Sequence, residues 1–417
     1  MISGPYPRSK IYTTFNSYFS FLTSLIFFRI KKGNDVEKLE KTLAKRLNVS
    51  DAICVPMARV GIYLTLKHLI KSGKGIIMSP YTIADVVNMV ICAGYVPIFC
   101  DIEQSSCNID PNKIEKLINE NTGAILITHL HGISAKTKKI LNICKKYNLP
   151  LIEDTAQAFG ANKNGKMLGT IGDVGIYSFG MYKNINCWYG GAIASNNKKL
   201  INNIRSEINK YNYLSNAFIF KRISKGLLID LLTFPIFFKL ITFWIFRFGF
   251  LSNIKWINKW VEIELDLKLK DKIPNHYLSR LTPWQARLVL AQLDSVETNR
   301  NNRLAKANIY YNGLKNIDEL ILPPNEKTNA YLVFPIQYQE RNKILKWLMF
   351  NNRDIAAQHL KNCADLPSFS AWHRNCPIAS KTAKETIILP TYPKYPELEV
   401  EKNIKIIKSF FNQKKET

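Results

Sequence analysis

Residues 152–160, Ile-Glu-Asp-Thr-Ala-Gln-Ala-Phe-Gly, set an acid, Asp154, at the carboxyl end of a run that reads as a buried strand. Sheets in α/β proteins hold their ligands at that end. Further on, Lys183 stands in Tyr177-Ser178-Phe179-Gly180-Met181-Tyr182-Lys183-Asn184, which Gly190-Gly191 follows. A single loop lysine is ordinarily a solvated charge, and an aspartate at a strand end is common. The candidate is therefore their combination in one ordered stretch, not any member of it. His129 and His131 alternate near another strand end, but no third ligand stands at a suitable spacing, so no metal is expected. The eight cysteines, at 54, 92, 100, 107, 144, 187, 363 and 376, include no C-x-x-C pair, and most lie in apolar runs where a thiol packs as a small hydrophobe. They imply a reducing compartment. No phosphate-cradling G-x-x-x-x-G-K and no helix-turn-helix is present, so no nucleic-acid partner is expected.

These residues need a scaffold, and the hydrophobic pattern supplies one. From 52 to about 195, short apolar runs alternate with longer helical ones, as in a mostly parallel sheet covered by helices. Strands are expected at 52–55, 76–79, 96–100, 124–128, 150–153, 174–178 and 191–195, with helices at 61–71, 114–119 and 136–147. Asp110 before Pro111 is a helix start: an acceptor at the cap, then a residue that needs no amide donor. Residues 282–314 read as one long helix, 331–337 as a strand, and the remainder as a small α/β unit. The division expected is 1–275 for a large cofactor-binding domain and 276–417 for a long helix with a small C-terminal domain.

The ordered combination resembles the DegT/StrS-type sugar aminotransferases, pyridoxal-phosphate enzymes of fold type I, whose pattern runs E-D-x-A-Q-x-x-G, then S-F-x-x-x-K with a later G-G. The likeness runs from about Phe28 into the C-terminal region, supported by 94–101 (GYVPIFCD), 129–132 (HLHG), 165–175 (GKMLGTIGDVG), 279–293 and 389–393 (LPTYP). The resemblance implies a large α/β domain with a mostly parallel sheet, a small C-terminal α/β domain, and a homodimer. It implies that Lys183 holds pyridoxal 5'-phosphate as a Schiff base and then moves protons as general base. Asp154 would keep the pyridinium nitrogen protonated; Gln157 would contact the ring or its phenolic oxygen. Ser178 would bind the phosphate together with amides at the helix start near Ala58. Lysine rather than histidine at 183 marks the transaminase branch. His129 would shape the substrate pocket or serve as a satisfied core histidine, and Arg280 would reach substrate. Three positions depart from the pattern: Met57-Ala58-Arg59 replaces Ser-Gly-Thr, with Arg59 expected on the phosphate; Ile83 replaces a ring-stacking aromatic; Leu278 replaces a cross-subunit asparagine. The reaction implied is amino transfer, from glutamate, to a keto-sugar of a nucleotide diphosphate in glycan biosynthesis.

Charge and aromatic content leave a second question. Lys and Arg number 58 against 32 Asp and Glu, a net +26, which suits a diphosphate substrate, an anionic membrane or coding bias alike. Residues 11–28 carry no charge, but Thr13, Thr14, Asn16 and Ser17 make them too polar for a span, and Arg29, Lys31 and Lys32 stand where a cleavage site belongs. A buried or interfacial helix is expected there. Residues 214–260 hold 12 Phe or Trp in 47 positions and seven cations against one acid, Asp230. They lack a counterpart in the family pattern and are read as an insertion. Asp230, Lys239 and Arg247 interrupt every apolar run, and Pro235 breaks the helix. The insertion reads equally as an element on an anionic membrane surface or as a helical subdomain packed on protein. The location expected is cytoplasmic, with a peripheral contact at the inner membrane face. A rival reading makes the chain a membrane-associated binding or regulatory protein on a degenerate aminotransferase scaffold.

Overall fold

The computed structural model describes residues 4–11, 14–71, 74–261 and 266–416. Thr13 and the side chains of Lys259 and Trp260 lie outside the described residues. The polar-interrupted stretch near the N-terminus forms helix α1 (Phe15–Ile26), capped by a reciprocal Thr14–Ser17 box. In α2 (Asp35–Leu47), Leu39, Leu43 and Leu47 recur every four residues and are buried.

The seven expected strands all form, as β1 (Asp51–Val55), β2 (Gly75–Met78), β3 (Val96–Phe99), β4 (Thr122–Thr128), β5 (Leu151–Asp154), β6 (Val174–Ser178) and β7 (Gly191–Ser195). They make one sheet of order β1-β7-β6-β5-β4-β2-β3. Only β7 runs against its neighbours; the other pairings are parallel. β2, β5 and β7 are buried along their whole length, as continuous apolar strands covered on both faces must be. Helices α3 (Ala58–Leu69), α4 (Ala84–Cys92), α5 (Thr137–Lys146) and α6 (Lys198–Ile208) complete this body. The helix expected over 114–119 is instead one turn at Pro111–Ile114, capped by Asp110, followed by a tighter turn.

The insertion is helical: α7 (Asn216–Leu232), then Pro235 at the first position of a new helical run that ends in α8 (Phe243–Leu251). The two runs are bent by 59°. Pro235 does break the helix, because its ring cannot follow an interior turn but suits the start of one. Tyr213, just before the insertion, forms a backbone bridge with Arg280, beyond it.

The long helix expected over 282–314 is two, α9 (Pro283–Leu290) and α10 (Val296–Leu314). At the break, Gln292 turns back: its Nε2 donates to Leu288 O at 2.7 Å and to Asn186 O at 2.8 Å. Tertiary bonding overrides helix propensity there. The break also marks the change of core, since Trp284 and Val289 pack in the large-sheet cluster and Ala307 and Tyr310 in the second. The second core lies under a three-stranded antiparallel sheet of β8 (Phe334–Gln337), β9 (Ala356–Ala357) and β10 (Thr386–Leu389), ordered β8-β10-β9. Around it stand α11 (Arg341–Phe350) and α12 (Glu397–Glu416). The strand expected from 331 starts only at Phe334, because Tyr331 takes a positive φ of 41° that a strand cannot hold.

Candidate active site

Strand register assembles the site. Val55 pairs with Gly191 and Gly191 with Ser178, so the ends of β1, β7 and β6 stand in one row. On the next strand Asp154 pairs with Ile176, two residues before Ser178. The helix α3 begins just past β1, and its N-cap, Met57, offers no side-chain bond to the first-turn amides. Those amides keep unmet donors and the positive end of the helix dipole. Glycine at 191 is what lets them come so close: a Cβ there would lie 2.8 Å from Ala58 N and 2.6 Å from Tyr177 O. Ser178 stands beside them and accepts from Gly180 N at 3.4 Å.

Lys183 follows in a loop held at several points. Lys183 N donates to Gly180 O at 3.0 Å, and Asn184 Nδ2 donates to Phe159 O at 2.7 Å. Gln292 Oε1 accepts from Asn186 N at 3.0 Å, and Gln285 binds the carbonyls of Cys187 and Tyr189. Gln285 also completes a capping box with Thr282 at the start of α9. Both glutamines read from the sequence only as polar positions in a helix; their role as clamps on this loop depends on the fold.

Burial lowers the Lys183 ammonium from its ordinary range, with Asp154 pulling it back up and Arg59 pushing it down. Burial raises Asp154, while the Ala156 amide and Lys183 act in the opposite sense. Asp154 Oδ1 accepts from Ala156 N at 2.9 Å. Lys183 thus lies within electrostatic range of both Asp154 and Arg59. The fold adds a residue that no spacing signalled: His359, held neutral by burial and by the charge of Lys183, with its pKa down to about 4.

His131 takes a left-handed backbone (φ 59°) fixed by Gln157, whose Oε1 accepts from His131 N at 2.8 Å. Gln157 thus spends its carbonyl on the protein. With Gln358 Nε2 at 3.3 Å from Nδ1, the neutral His131 ring carries its proton on Nε2. That nitrogen is buried without a partner among the described residues. Burial, with His359 adding to it, lowers the His131 pKa to about 3.

Two expectations change. His129 is buried with both nitrogens used: Nδ1 accepts from Ala135 N at 3.1 Å, and Nε2 faces Glu153 Oε2 at 3.0 Å. Glu153 in turn accepts from the amides of Gly169, Ile171 and Gly172. His129 is therefore a satisfied core histidine and has no nitrogen left for substrate. Arg59 is neither a plain surface arginine nor on a free phosphate path: its guanidinium pairs with Asp85, which Lys270 and Tyr277 also bind. Burial works to raise Asp85, but these three partners outweigh it and hold the carboxyl low. Arg280 lies over the Tyr213 ring at 4.6 Å, at the neck of the insertion. Ile83, at the start of α4, packs against the large core and offers only apolar contact.

The residues fit pyridoxal phosphate. A buried carboxylate with burial driving its pKa up is short of a cation, which a ring N–H would supply at Asp154. Uncapped amides beside Ser178 suit a phosphate, and Lys183 is an amine of lowered basicity.

A family model for the DegT/DnrJ/EryC1/StrS aminotransferases matches residues 27–217 and 260–410, leaving out the insertion. A UDP-4-amino-4,6-dideoxy-N-acetyl-beta-L-altrosamine transaminase of Campylobacter jejuni is 35% identical over 176 residues, 42% of this chain and 46% of that one. The match thus spans less than half of that relative's length. An uncharacterized protein of Methanocaldococcus jannaschii is 26% identical over 396 residues, 92% of each chain. The fold is shared with PseC of Helicobacter pylori, an aminotransferase involved in the biosynthesis of pseudoaminic acid, at TM-score 0.76 and 19% identity over 98% of this chain and all of the other. The chain belongs to the DegT/DnrJ/EryC1/StrS aminotransferase family.

Proposed function

We propose that this protein is a pyridoxal-phosphate-dependent aminotransferase that moves an amino group, from glutamate, onto the keto carbon of a nucleotide-diphosphate sugar for polysaccharide biosynthesis. The observation that carries the reading is that Lys183 lies within electrostatic range of buried Asp154, which ends its strand at the carboxyl edge of the sheet. When bound, the cofactor ring withdraws electrons from the carbon that loses a proton. Lys183 Nζ, its basicity lowered by burial, is the amine that would hold the cofactor through its aldehyde and would carry protons between carbon centres. The Asp154 carboxylate would hold the proton on the ring nitrogen, and Ser178 Oγ with the Ala58 and Arg59 amides would hold the phosphate. Gln157, its carbonyl engaged by His131 N, would have its amide nitrogen left to donate to the ring oxygen. Arg59, fixed by Asp85, keeps a positive field beside Lys183 that favours its neutral form.

The relative named for a UDP-sugar transaminase supports a nucleotide-sugar substrate, and the net charge of +26 favours a diphosphate. We read the working form as a cytoplasmic homodimer with Arg280 near substrate. The retained lysine and acid weigh against a degenerate scaffold. Mixing the protein with pyridoxal phosphate should raise a visible absorbance band and, after borohydride reduction, a covalent mass increment on Lys183. Lys183→Ala should lose both; a band that persists in that variant refutes the assignment.

A further inference from the structure

Among the described residues, twenty-five large apolar side chains are exposed, and nineteen of them lie in two segments, 15–28 and 220–256. Apolar side chains scattered singly over a surface need no explanation, but a concentration of this kind marks a contact face. The two segments lie side by side. Tyr18 Oη of α1 donates to Asp230 Oδ2 of α7 at 2.6 Å, and the Tyr18 ring is 5.6 Å from Trp188. On the same indole, Gly226 of α7 sits so close that a Cβ would be 2.4 Å from Nε1.

Helix α7 turns Ile219, Ile223 and Gly226 inward, yet Phe220, Leu227 and Leu231, on its outer side, are 58%, 55% and 56% exposed. A helix apolar on both faces needs a non-aqueous neighbour on each. Charge distinguishes the candidates for the outer one. The insertion carries Lys221, Arg222, Lys225, Lys239, Arg247 and Lys255 against Asp230 alone, and α1 runs into Arg29, Lys31 and Lys32. A two-fold contact with a second copy would set this face against itself, cations toward cations. Anionic headgroups complement it, and exposed Trp244 and Trp256 suit the boundary between headgroup and acyl chain. No single described helix is long and apolar enough to cross a membrane, and the bent pair of α7 with 235–251 would have to turn 59° to do so.

We propose that α1, α7 and α8 form a docking face for an anionic bilayer, lying in its headgroup layer rather than spanning it. The face is built largely from the segment between the two family-matched regions, so it goes beyond the proposed reaction and stands without it. The test is flotation of the full chain with phosphatidylcholine vesicles, with and without phosphatidylglycerol. The protein should float only with the anionic vesicles. Lys221→Glu, Lys225→Glu and Lys255→Glu together should weaken vesicle affinity by on the order of a hundredfold, and Phe220→Ser, Leu227→Ser and Leu231→Ser together should abolish flotation. Near-UV circular dichroism checks that the variants fold. Wild-type protein that stays at the bottom, or floats equally with neutral vesicles, overturns the proposal. So does a triple serine variant that turns a dimer into a monomer on light scattering while the wild type ignores lipid, because a second copy then covers the face. Flotation is read without cofactor, so a failure here is separate from a failure of the Lys183 assignment.

Discussion

At Asp154 a single carboxylate answers to four influences: burial raises its pKa, and the Ala156 amide, Lys183 and His129 act to lower it. A ring nitrogen that keeps its proton needs a charge there, not merely an acceptor. Asp154→Asn preserves shape and hydrogen bonding but removes the charge, so the cofactor should stay bound while turnover falls by roughly a hundredfold or more. Near-normal turnover, measured by glutamate-dependent amination of a keto-sugar nucleotide, would contradict the role. His129 shows the reverse lesson. Its motif position left a substrate-pocket role and a core role open, and a ring with both nitrogens committed to Ala135 and Glu153 fits the core role.

At the scale of elements, the phosphate end of the site depends on how closely α3 approaches the sheet. Gly191 has backbone on both sides at 2.6 and 2.8 Å from any Cβ, and backbone cannot rotate away as a side chain can. Gly191→Ala should therefore push α3 outward, cost on the order of 1–3 kcal/mol, and raise the dissociation constant for pyridoxal phosphate. A lower melting temperature with unchanged cofactor affinity would show that α3 does not serve the phosphate. The clamps from α9 and the break after it act on the other end: Gln285 and Gln292 satisfy carbonyls and an amide of residues 186–189 that would otherwise be left unpaired near the core.

The whole molecule joins two cores through several straps. Arg8 near the N-terminus donates to Asp354 at 2.7 Å, and Phe243 of the insertion packs with Met349 of α11. Between the cores, His131 from the large body and His359 from the small one are kept neutral, with pKa values near 3 and 4. Unfolded histidine titrates near 6.5. The folded pKa values lie below this, so the unfolded chain binds more protons in between. The stability contributed is complete above about pH 6.5 and is lost as pH falls toward 4. The melting temperature should therefore drop between about pH 7 and 4.5, and drop less in His131→Gln; equal drops would place the acid sensitivity elsewhere.

The seven strands, and the place of Asp154 at the end of one of them, were legible because they rest on local facts: apolar runs of strand length and turn residues between them. Pro235 was legible for the same reason, since its ring acts on its own helix. What local pattern could not supply was anything that depends on a partner far along the chain. Arg59 pairs with Asp85 and Tyr277, His359 comes within range of Lys183, Gln292 breaks the helix expected over 282–314, and the outer face of α7 stays apolar. Periodicity records which side chains avoid water, but only the folded chain determines what each one meets.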